Sequence, residues 1–420
     1  MANFSFLHAA DLHLDSPLRG LEADAPADLI RGATRRALVN LVDLAIAERV
    51  AFVLLAGDLY DGDWEDYRTG HFLIEQIGRL TRVGIFVYAI AGNHDAQSVL
   101  TRALPWPDGA RMFDTARPHH TAVPGLDVVI HGQGYPTRAY TQNMAMDYAP
   151  RIPGMLNIGL LHTACGSGQH ENYAPCSVEQ LVGHGYDYWA LGHVHARAEL
   201  HRHPAWVVFP GNLQGRHIKE EGAKGATLVR VDGPVMTPVH HALDVLRWAR
   251  VGVDLAGVTD PDAMGARIRT ALGDAHTAAD GRPLAARVVL LGETVLHAGL
   301  ARDPEATRQA VLAEATNVGL GDALWLEKVE IATRARLDRD AVARPDAVST
   351  LMRAIEAQAE MPGAAAASAQ DYARHMLGHL PSLRPALGGA HAAIRAAAGD
   401  VSPELMEQAR NLLLAMLDEG

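Results

Sequence analysis

The chain has 420 residues, of which 48% are hydrophobic and 20% are charged, and its formal net charge is −12. A chain of this length exceeds one simple core, so we expect two or three domains. The negative charge disfavours nonspecific nucleic-acid binding through a uniformly basic surface, but it leaves room for a local basic groove. Two cysteines are too few to form a disulfide framework for a chain of this size, which favours a reducing, cytoplasmic location. The sequence contains no apolar run of about 18 residues, so we predict no membrane-spanning helix.

The first ninety residues alternate between strands and helices. Buried strands are predicted at 3–10, 51–55 and 85–91, and amphipathic helices are predicted between them at 26–49 and 67–82. This alternation predicts parallel strands joined by helical crossovers. In such sheets, binding sites collect at the carboxyl ends of the strands.

From about residue 125 the pattern changes to short strands separated by glycine and proline. These strands are predicted at 128–130, 156–161, 188–191, 206–209, 227–231 and 235–240. They indicate a second sheet packed on the first. The sequence therefore predicts an α/β fold over residues 1–243, a two-sheet sandwich flanked by helices.

Two further regions follow the sandwich. Alternating strands and helices between about 245 and 331 predict a small α/β domain over residues 244–338. Residues 339–420 are rich in alanine and predict a helical C-terminal tail. Its last helix begins after Ser402-Pro403 and carries a broad apolar stripe, which packs either on its own domain or on a partner.

Metal-type side chains stand at five predicted strand ends. The five motifs are Asp11-Leu12-His13, Gly57-Asp58-Leu59-Tyr60-Asp61, Gly92-Asn93-His94-Asp95, His162 and Gly192-His193-Val194-His195. Each motif alone is common, and an apolar strand does not need such side chains for packing. Their recurrence at five strand ends predicts one metal site built from five loops.

The donors of this predicted site are nitrogen and oxygen atoms. They come from Asp11, His13, Asp58, Asn93, His162, His193 and His195. Such a set suits manganese, with iron or zinc as alternatives, and the absence of thiolates disfavours a structural zinc site. Seven ligands with Asp58 as a bridge fit two ions about 3.5–4 Å apart, which can activate water and clamp a phosphate.

Two further residues are predicted to act on the proton of the leaving group. We expect His94 to face the substrate, where it would protonate the leaving oxygen or stabilise its charge. We expect Asp61 to orient His94. The pairs His119-His120 and His240-His241 lack a strand-end motif, so we interpret them as surface or core histidines.

In this order the motifs resemble those of the calcineurin-like metallophosphoesterases, and the resemblance covers residues 4–240. It implies that one ion binds Asp11, His13, Asp58 and His195. It implies that the other ion binds Asp58, Asn93, His162 and His193. It also implies that His94 is the catalytic histidine and that the fold is a two-sheet sandwich flanked by helices.

Residues 6–17 and 209–214 are similar to the DNA repair exonuclease branch of this family, which includes SbcD-type nucleases and YhaO-like proteins. Its usual plan adds a small α/β capping domain, which helps to select DNA, and a helical tail. In relatives, that tail binds an ATPase with a long coiled coil. The resemblance thus implies DNA as substrate, an SbcC-like ATPase partner and possible homodimerisation. Archaeal and eukaryotic relatives often carry His at the position of Asp61, whereas bacterial members carry Asp.

The leading hypothesis is a manganese-dependent nuclease that hydrolyses DNA phosphodiester bonds at ends or hairpins during DNA repair. One alternative is a phosphatase or small-molecule phosphodiesterase on the same dinuclear core. Protein phosphatases of the family usually carry Arg after the second Asp of the Gly-Asp motif, whereas here Gly62 follows Asp61. A second alternative is a non-catalytic scaffold, which is disfavoured because such relatives usually lose ligands and none is lost here.

Overall fold

The computed structural model describes residues 3–21, 27–61, 67–96, 105–166 and 173–336. The predicted helical tail at 339–420 lies outside the described residues. The chain divides into two compact units that interleave along the sequence. The first unit comprises Met1–Arg250, Asp274–Arg287 and Asp322–Glu327, and the second comprises Val251–Gly273, Val288–Gly321 and Lys328–Gly420, the last as far as it is described. The domain boundaries at residues 244 and 339 remain a prediction.

Fifteen strands and six α-helices span the described residues. The strands are β1 Phe4–Ala9, β2 Phe52–Ala56, β3 Phe86–Ile90, β4 Ala110–Met112, β5 His119–Ala122, β6 Val128–Gly132, β7 Leu156–His162, β8 Tyr188–Gly192, β9 Ala198–His201, β10 Trp206–Phe209, β11 Gly225–Asp232, β12 Val235–Ala242, β13 Arg247–Asp254, β14 Leu284–Thr294 and β15 Leu324–Ala335. The helices are α1 Ala27–Ala47, α2 Tyr67–Arg82, α3 Val178–Gly183, α4 Pro261–Ala278, α5 His297–Arg302 and α6 Pro304–Asn317, with a 3-10 helix at Met144–Asp147. No described helix has the length and apolar character needed to cross a lipid bilayer.

Two six-stranded mixed sheets form the first unit. One has the order β12-β11-β1-β2-β3-β4, and the other has the order β5-β6-β7-β8-β10-β9. Strands β1 to β4 run parallel, as do β6, β7, β8 and β10, while the remaining strands pair antiparallel. The predicted two-sheet sandwich is confirmed.

Apolar side chains of both sheets fill the space between them. Phe6 on β1 stacks on Phe52 of β2 with ring centroids 5.0 Å apart, and it meets the edge of Tyr188 on β8 at 5.3 Å. All three side chains are fully buried, and burying a side chain of this size contributes about 2–3 kcal/mol. The outer face of the first sheet packs on Leu38 of α1 and Leu73 of α2. The helices therefore flank the sandwich.

Several short elements have no clear counterpart in the sequence pattern. They are β4, β5, β9, α3, α5 and the 3-10 helix. Strands β5 and β9 lie at the edges of the second sheet and alternate only weakly between buried and exposed positions. Such strands lack the apolar run that marks a central strand. The histidine pairs His119-His120 and His240-His241 lie on edge strands β5 and β12.

The region after the sandwich contains a third sheet with the order β13-β14-β15. Within the second unit, α4 and α6 are joined by Arg269 Nη1, which donates to Glu314 Oε2 at 2.6 Å. Thr294 Oγ1 donates to the Val258 carbonyl at 2.6 Å and ties the end of β14 to the segment between β13 and α4. The predicted small α/β sheet domain is confirmed.

The carboxyl ends of the central strands from both sheets meet at one place. Strands β1, β2 and β3 are parallel, so their carboxyl ends share an edge of the first sheet. In the second sheet, His162 at the end of β7 pairs with Gly192 at the end of β8. His162 Nδ1 lies 2.9 Å from the carbonyl oxygen of Ala56 at the end of β2. This contact joins the two sheets where the five motifs begin.

Candidate metal centre

Glycines let these strand ends approach each other. A Cβ on Gly92 would overlap the carboxylate of Asp58, and a Cβ on Gly192 would overlap the carbonyl oxygen of Ala56. Gly57 has a φ of 89°, which an L side chain rarely adopts. The glycine before each of these three polar motifs is therefore required by close backbone packing.

Replacing Gly192 with alanine should misplace the strand end that carries His193. Overpacking against fixed backbone costs roughly 3 kcal/mol, so we expect the midpoint of thermal unfolding to fall by about 5–10 °C. The control is Gly183→Ala, because Gly183 has no atom within 4 Å of an added Cβ. Thermal unfolding of both variants, with manganese content measured alongside, checks the prediction. An unchanged midpoint for Gly192→Ala would contradict it.

Four of the predicted ligands have left-handed backbone conformations. Their φ angles are 52° at Asp11, 41° at His13, 49° at Asp58 and 102° at His193. A side chain with a Cβ costs roughly 1–2 kcal/mol in this region. Strain of this kind persists where the surroundings enforce it, and it clusters at functional sites. The left-handed backbone conformations thus occur at the same strand ends that carry the predicted metal ligands.

The first donor group consists of Asp11, His13, Asp58 and His195. His13 Nε2 lies 3.1 Å from His195 Nε2 and 3.8 Å from Asp58 Oδ2. Asp11 lies within ligand distance of both histidines, and its carboxylate accepts from the backbone N–H of His193 at 3.0 and 3.1 Å. The structure therefore brings together the four side chains expected around one ion.

The second donor group consists of Asp58, Asn93, His162 and His193. Asn93 Oδ1 lies 2.9 Å from His162 Nε2 and 3.2 Å from His193 Nδ1. His162 Nε2 is also 3.5 Å from Asp58 Oδ2. Asp58 thus stands between the two groups, in the place that a bridging ligand would take.

The chemistry of these donors fits a divalent cation. The Ala56 carbonyl can only accept, so His162 donates from Nδ1 and a neutral ring directs its Nε2 lone pair at Asn93 Oδ1. A carboxylate oxygen of Asp58 faces the same point. Lone pairs that converge in a buried place repel each other unless a proton or a metal ion lies between them. The clustered aspartates and histidines therefore imply divalent metal ions.

Electrostatics in the metal-free chain point the same way. Burial alone would raise the pKa of Asp58, but attraction to His162 and His13 holds it well below its usual range. Burial alone would lower the pKa of His162, but the charges of Asp58 and Asp11 raise it to about 9. Burial raises the pKa of Asp11 to about 6, although nearby histidines oppose this. In the metal-free chain, the imidazole of His162 therefore holds a proton at the position that a metal cation would take.

Metal binding should displace the proton of His162. The ring is protonated below about pH 9, and an ion binds only the bare Nε2. At pH 7.5 we expect about one proton to be released from this ring, and affinity should fall about tenfold per pH unit below pH 9. Calorimetric titration with Mn2+ in buffers of different ionisation enthalpy measures this number. A His162→Gln variant should lose the release, and buffer-independent heats for the unaltered chain would contradict the prediction.

His94 and Asp61 lie beside the donor groups. The side chain of His94 is 29% exposed, and its Nδ1 is 3.5 Å from Asp61 Oδ1. Its backbone N–H donates to Asp58 Oδ1 at 2.9 Å, which fixes the turn. Asp61 Oδ1 is also 3.4 Å from His13 Nδ1, and the interaction with His13 holds the pKa of Asp61 well below its usual range. Asp61 thus lies beside His94, which it is predicted to orient, and it also stands behind a predicted ligand.

Sequence reasoning missed Glu220, which stands behind His195. Glu220 Oε1 lies 2.6 Å from His195 Nδ1, and its Oε2 accepts from Asn212 Nδ2 at 2.9 Å. Burial would raise the pKa of Glu220, but the hydrogen bond from His195 holds it well below its usual range. Asn212 belongs to the 209–214 segment that resembles the exonuclease branch. That resemblance was the sequence feature that could have drawn attention to the surroundings of Glu220.

Asp95 is the last residue of the Gly92-Asn93-His94-Asp95 motif, and it has a structural role that the sequence did not reveal. Its carboxylate accepts from the backbone N–H groups of Gly92 at 2.8 Å, Leu59 at 3.1 Å and Tyr60 at 3.0 Å. Burial, together with repulsion from Asp58, raises its pKa to about 7. Asp95 therefore ties two of the site's loops to each other.

Comparison with known proteins agrees with these motifs. Residues 4–197 match the family described as calcineurin-like phosphoesterase, and residues 248–334 match the middle domain of metallophosphoesterase YhaO. An uncharacterized metallophosphoesterase YhaO from Bacillus subtilis is 37% identical over 301 residues, which cover 70% of this chain and 72% of that protein.

More distant similarities also occur. A DNA double-strand break repair protein Mre11 from Methanopyrus kandleri is 25% identical over 268 residues, which cover 58% of this chain and 57% of that protein. The match thus spans less than two thirds of that relative. The solved structure of TT1561 from Thermus thermophilus matches with 14% identity and a TM-score of 0.34, covering 57% of this chain and 99% of that chain. Because the similarity to YhaO extends over most of both proteins, this chain belongs to the calcineurin-like metallophosphoesterases, a family of hydrolases, and is a YhaO-like member of it.

Proposed function

We propose that this metallophosphoesterase is a nuclease that hydrolyses DNA phosphodiester bonds at ends or hairpins, with two divalent ions and manganese as the preferred metal. The observation that carries this proposal is the pair of donor groups that share Asp58, with the partly exposed His94 beside them. Two ions bound there would supply positive charge to a phosphate and acidify a water.

The protein's own residues would divide the remaining work. His94 is a partly exposed imidazole beside the donor groups, so it can transfer a proton to the leaving oxygen or stabilise its charge. Asp61 Oδ1 lies 3.5 Å from His94 Nδ1, so it would hold the ring through Nδ1 and leave Nε2 for the substrate. The deeply buried His13, Asp58 and His162 remain available as ligands.

A basic rim beside the site supports a polyanionic substrate. The rim consists of the exposed Arg19 and Lys219, whereas the nearby Arg216 is itself paired with Asp61 and Glu220. Arg216 Nη1 lies 3.3 Å from Asp61 Oδ1, and the Arg216 carbonyl accepts from the backbone N–H of Arg19 at 2.8 Å. In a chain with a net charge of −12, such a local patch suits the phosphates that flank a scissile bond. The name of the Mre11 relatives, which refers to double-strand break repair, favours DNA.

Substrate comparison tests the proposal. The full chain, loaded with Mn2+, Zn2+ or Fe2+, is given linear duplex DNA, a DNA hairpin, bis-p-nitrophenyl phosphate and p-nitrophenyl phosphate. We expect both DNA and the small diester to be cleaved, with manganese giving the highest rate. Cleavage of DNA should fall steeply with salt while cleavage of the small diester changes little. Monoester turnover without DNA cleavage would overturn the nuclease proposal in favour of a phosphatase, and no hydrolysis at all would favour a scaffold.

We further propose that the tail at 339–420 docks on an SbcC-like ATPase with a coiled coil. Its support is the broad apolar stripe after Ser402-Pro403 in the sequence. A chain ending at residue 338 should keep hydrolysis of bis-p-nitrophenyl phosphate while losing affinity for such a partner. Copurification and titration with the two purified proteins measure this. Equal complex formation by the shortened chain would exclude the tail as the docking segment.

A further inference from the structure

Glu220 is held rigidly behind the metal centre. Its side chain is only 5% exposed, and Oε1 accepts from His195 Nδ1 at 2.6 Å. Oε2 accepts from Asn212 Nδ2 at 2.9 Å and from the backbone N–H of Arg216 at 2.7 Å. Because donors hold both oxygens, the carboxylate cannot turn away from His195. A buried carboxylate fixed in this way fits a role in orienting the imidazole.

The contact with Glu220 decides which nitrogen of His195 is free. Nδ1 donates to the carboxylate, so Nε2 is left bare, 3.1 Å from His13 Nε2 in the first donor group. In the second donor group, His162 is backed instead by the neutral carbonyl of Ala56. A carboxylate raises the basicity of the donor nitrogen more than a neutral carbonyl does. His195 and His162 therefore differ in the charge of the group that stands behind each of them.

Arg216 connects the carboxylates behind the first donor group. Its Nη2 lies 3.5 Å from Glu220 Oε1, and its Nη1 lies 3.3 Å from Asp61 Oδ1. Asp61 is in turn 3.4 Å from His13 Nδ1. With a side chain only 13% exposed, Arg216 offsets two neighbouring negative charges and keeps both in place.

We infer that Glu220 is a positioning residue that fixes His195 as an Nε2 donor and sets the metal affinity of the first donor group. This role rests on the two-ion centre of the proposed function and not on the identity of its substrate. Outer partners of metal-ligating histidines change metal affinity by about 10–100-fold. The same selective effect is expected here, and the second donor group should not share it.

Manganese titration of the full chain tests the role. In Glu220→Gln, one of the two Mn2+ affinities should fall by about 10–100-fold while the other stays unchanged. Hydrolysis of bis-p-nitrophenyl phosphate should recover when Mn2+ is raised. The matched control is Glu221→Gln at the next position. The side chain of Glu221 is 45% exposed and accepts from the backbone N–H of Arg250. This control should keep both affinities. Equal weakening of both positions, or none in the folded variant, would overturn the inference.

A double-mutant comparison separates positioning from general stability. Because Glu220 acts through His195, adding Glu220→Gln to His195→Ala should cause no further loss of Mn2+ affinity. A full additional loss in that background would overturn the role. Should Glu220→Gln fail to fold, as judged by circular dichroism without metal, Glu220→Asp keeps the charge and shortens its reach. It should show the same selective loss, and unchanged affinities in it would overturn the role. Failure to cut DNA would overturn the nuclease proposal alone, because these binding measurements need no nucleic acid.

Discussion

Asp58→Ala should empty both metal positions and abolish hydrolysis. Asp58 Oδ2 lies within 3.8 Å of His13 Nε2 in one donor group and 3.5 Å of His162 Nε2 in the other. Removing one member of a buried ionic site costs roughly 3–5 kcal/mol, which corresponds to about 10²–10⁴-fold in affinity. Because the same carboxylate serves both groups, one substitution should weaken both ions.

The Asp58→Ala result can be read from metal content and activity together. Elemental analysis after gel filtration should show close to two ions for the unaltered chain and close to none for the variant. Asp43→Ala is a suitable control, since Asp43 is 55% exposed and pairs with Arg79 away from the site's loops. If Asp58→Ala retained two ions, Asp58 would not be a bridge. Retention of one ion would assign the residue to a single donor group.

The placement of the main donors could be predicted from the sequence because two local signals coincide. Apolar runs mark the central strands, and polar residues such as Asp11 and Asn93 follow directly at their ends. Parallel pairing then brings the carboxyl ends of β1, β2 and β3 to one edge. No long-range information is needed beyond the direction of the strands.

Glu220 could not be predicted in the same way. In the sequence it stands next to Glu221, in a charged stretch that is typical of a solvated loop. In the structure, however, the side chain of Glu220 is 5% exposed and that of Glu221 is 45% exposed. The difference depends on how the loop returns to His195, 25 residues earlier in the chain. Periodicity carries no information about such a return.

The second contact of Asp61 was missed for a related reason. Spacing along the chain places Asp61 near His94, but its approach to His13 depends on the left-handed backbone of Asp58. A turn of that kind rotates the following residues in a way that strand and helix patterns do not encode. The short edge strands β5 and β9 were missed because exposure removes the alternation on which strand prediction depends.

His94→Ala should separate chemistry from metal binding. We expect two ions to remain and turnover of DNA to fall by about 10²–10⁴-fold, because the proton donor for the leaving oxygen is lost. The loss should be smaller for bis-p-nitrophenyl phosphate, since nitrophenolate leaves without a proton. His120→Ala, on the exposed edge strand β5, is the control.

The metal content of His94→Ala decides between two roles for this ring. His94 lies within ligand distance of His13 and Asp58, so geometry alone would also allow it to bind an ion. Its side chain is 29% exposed, however, whereas those of His13 and Asp58 are at most 2% exposed. A ligand role would make the variant lose metal and would lower the turnover of both substrates equally. Retained metal with a larger loss for DNA is the result expected if His94 acts on the leaving oxygen, because only that role depends on the basicity of the leaving group.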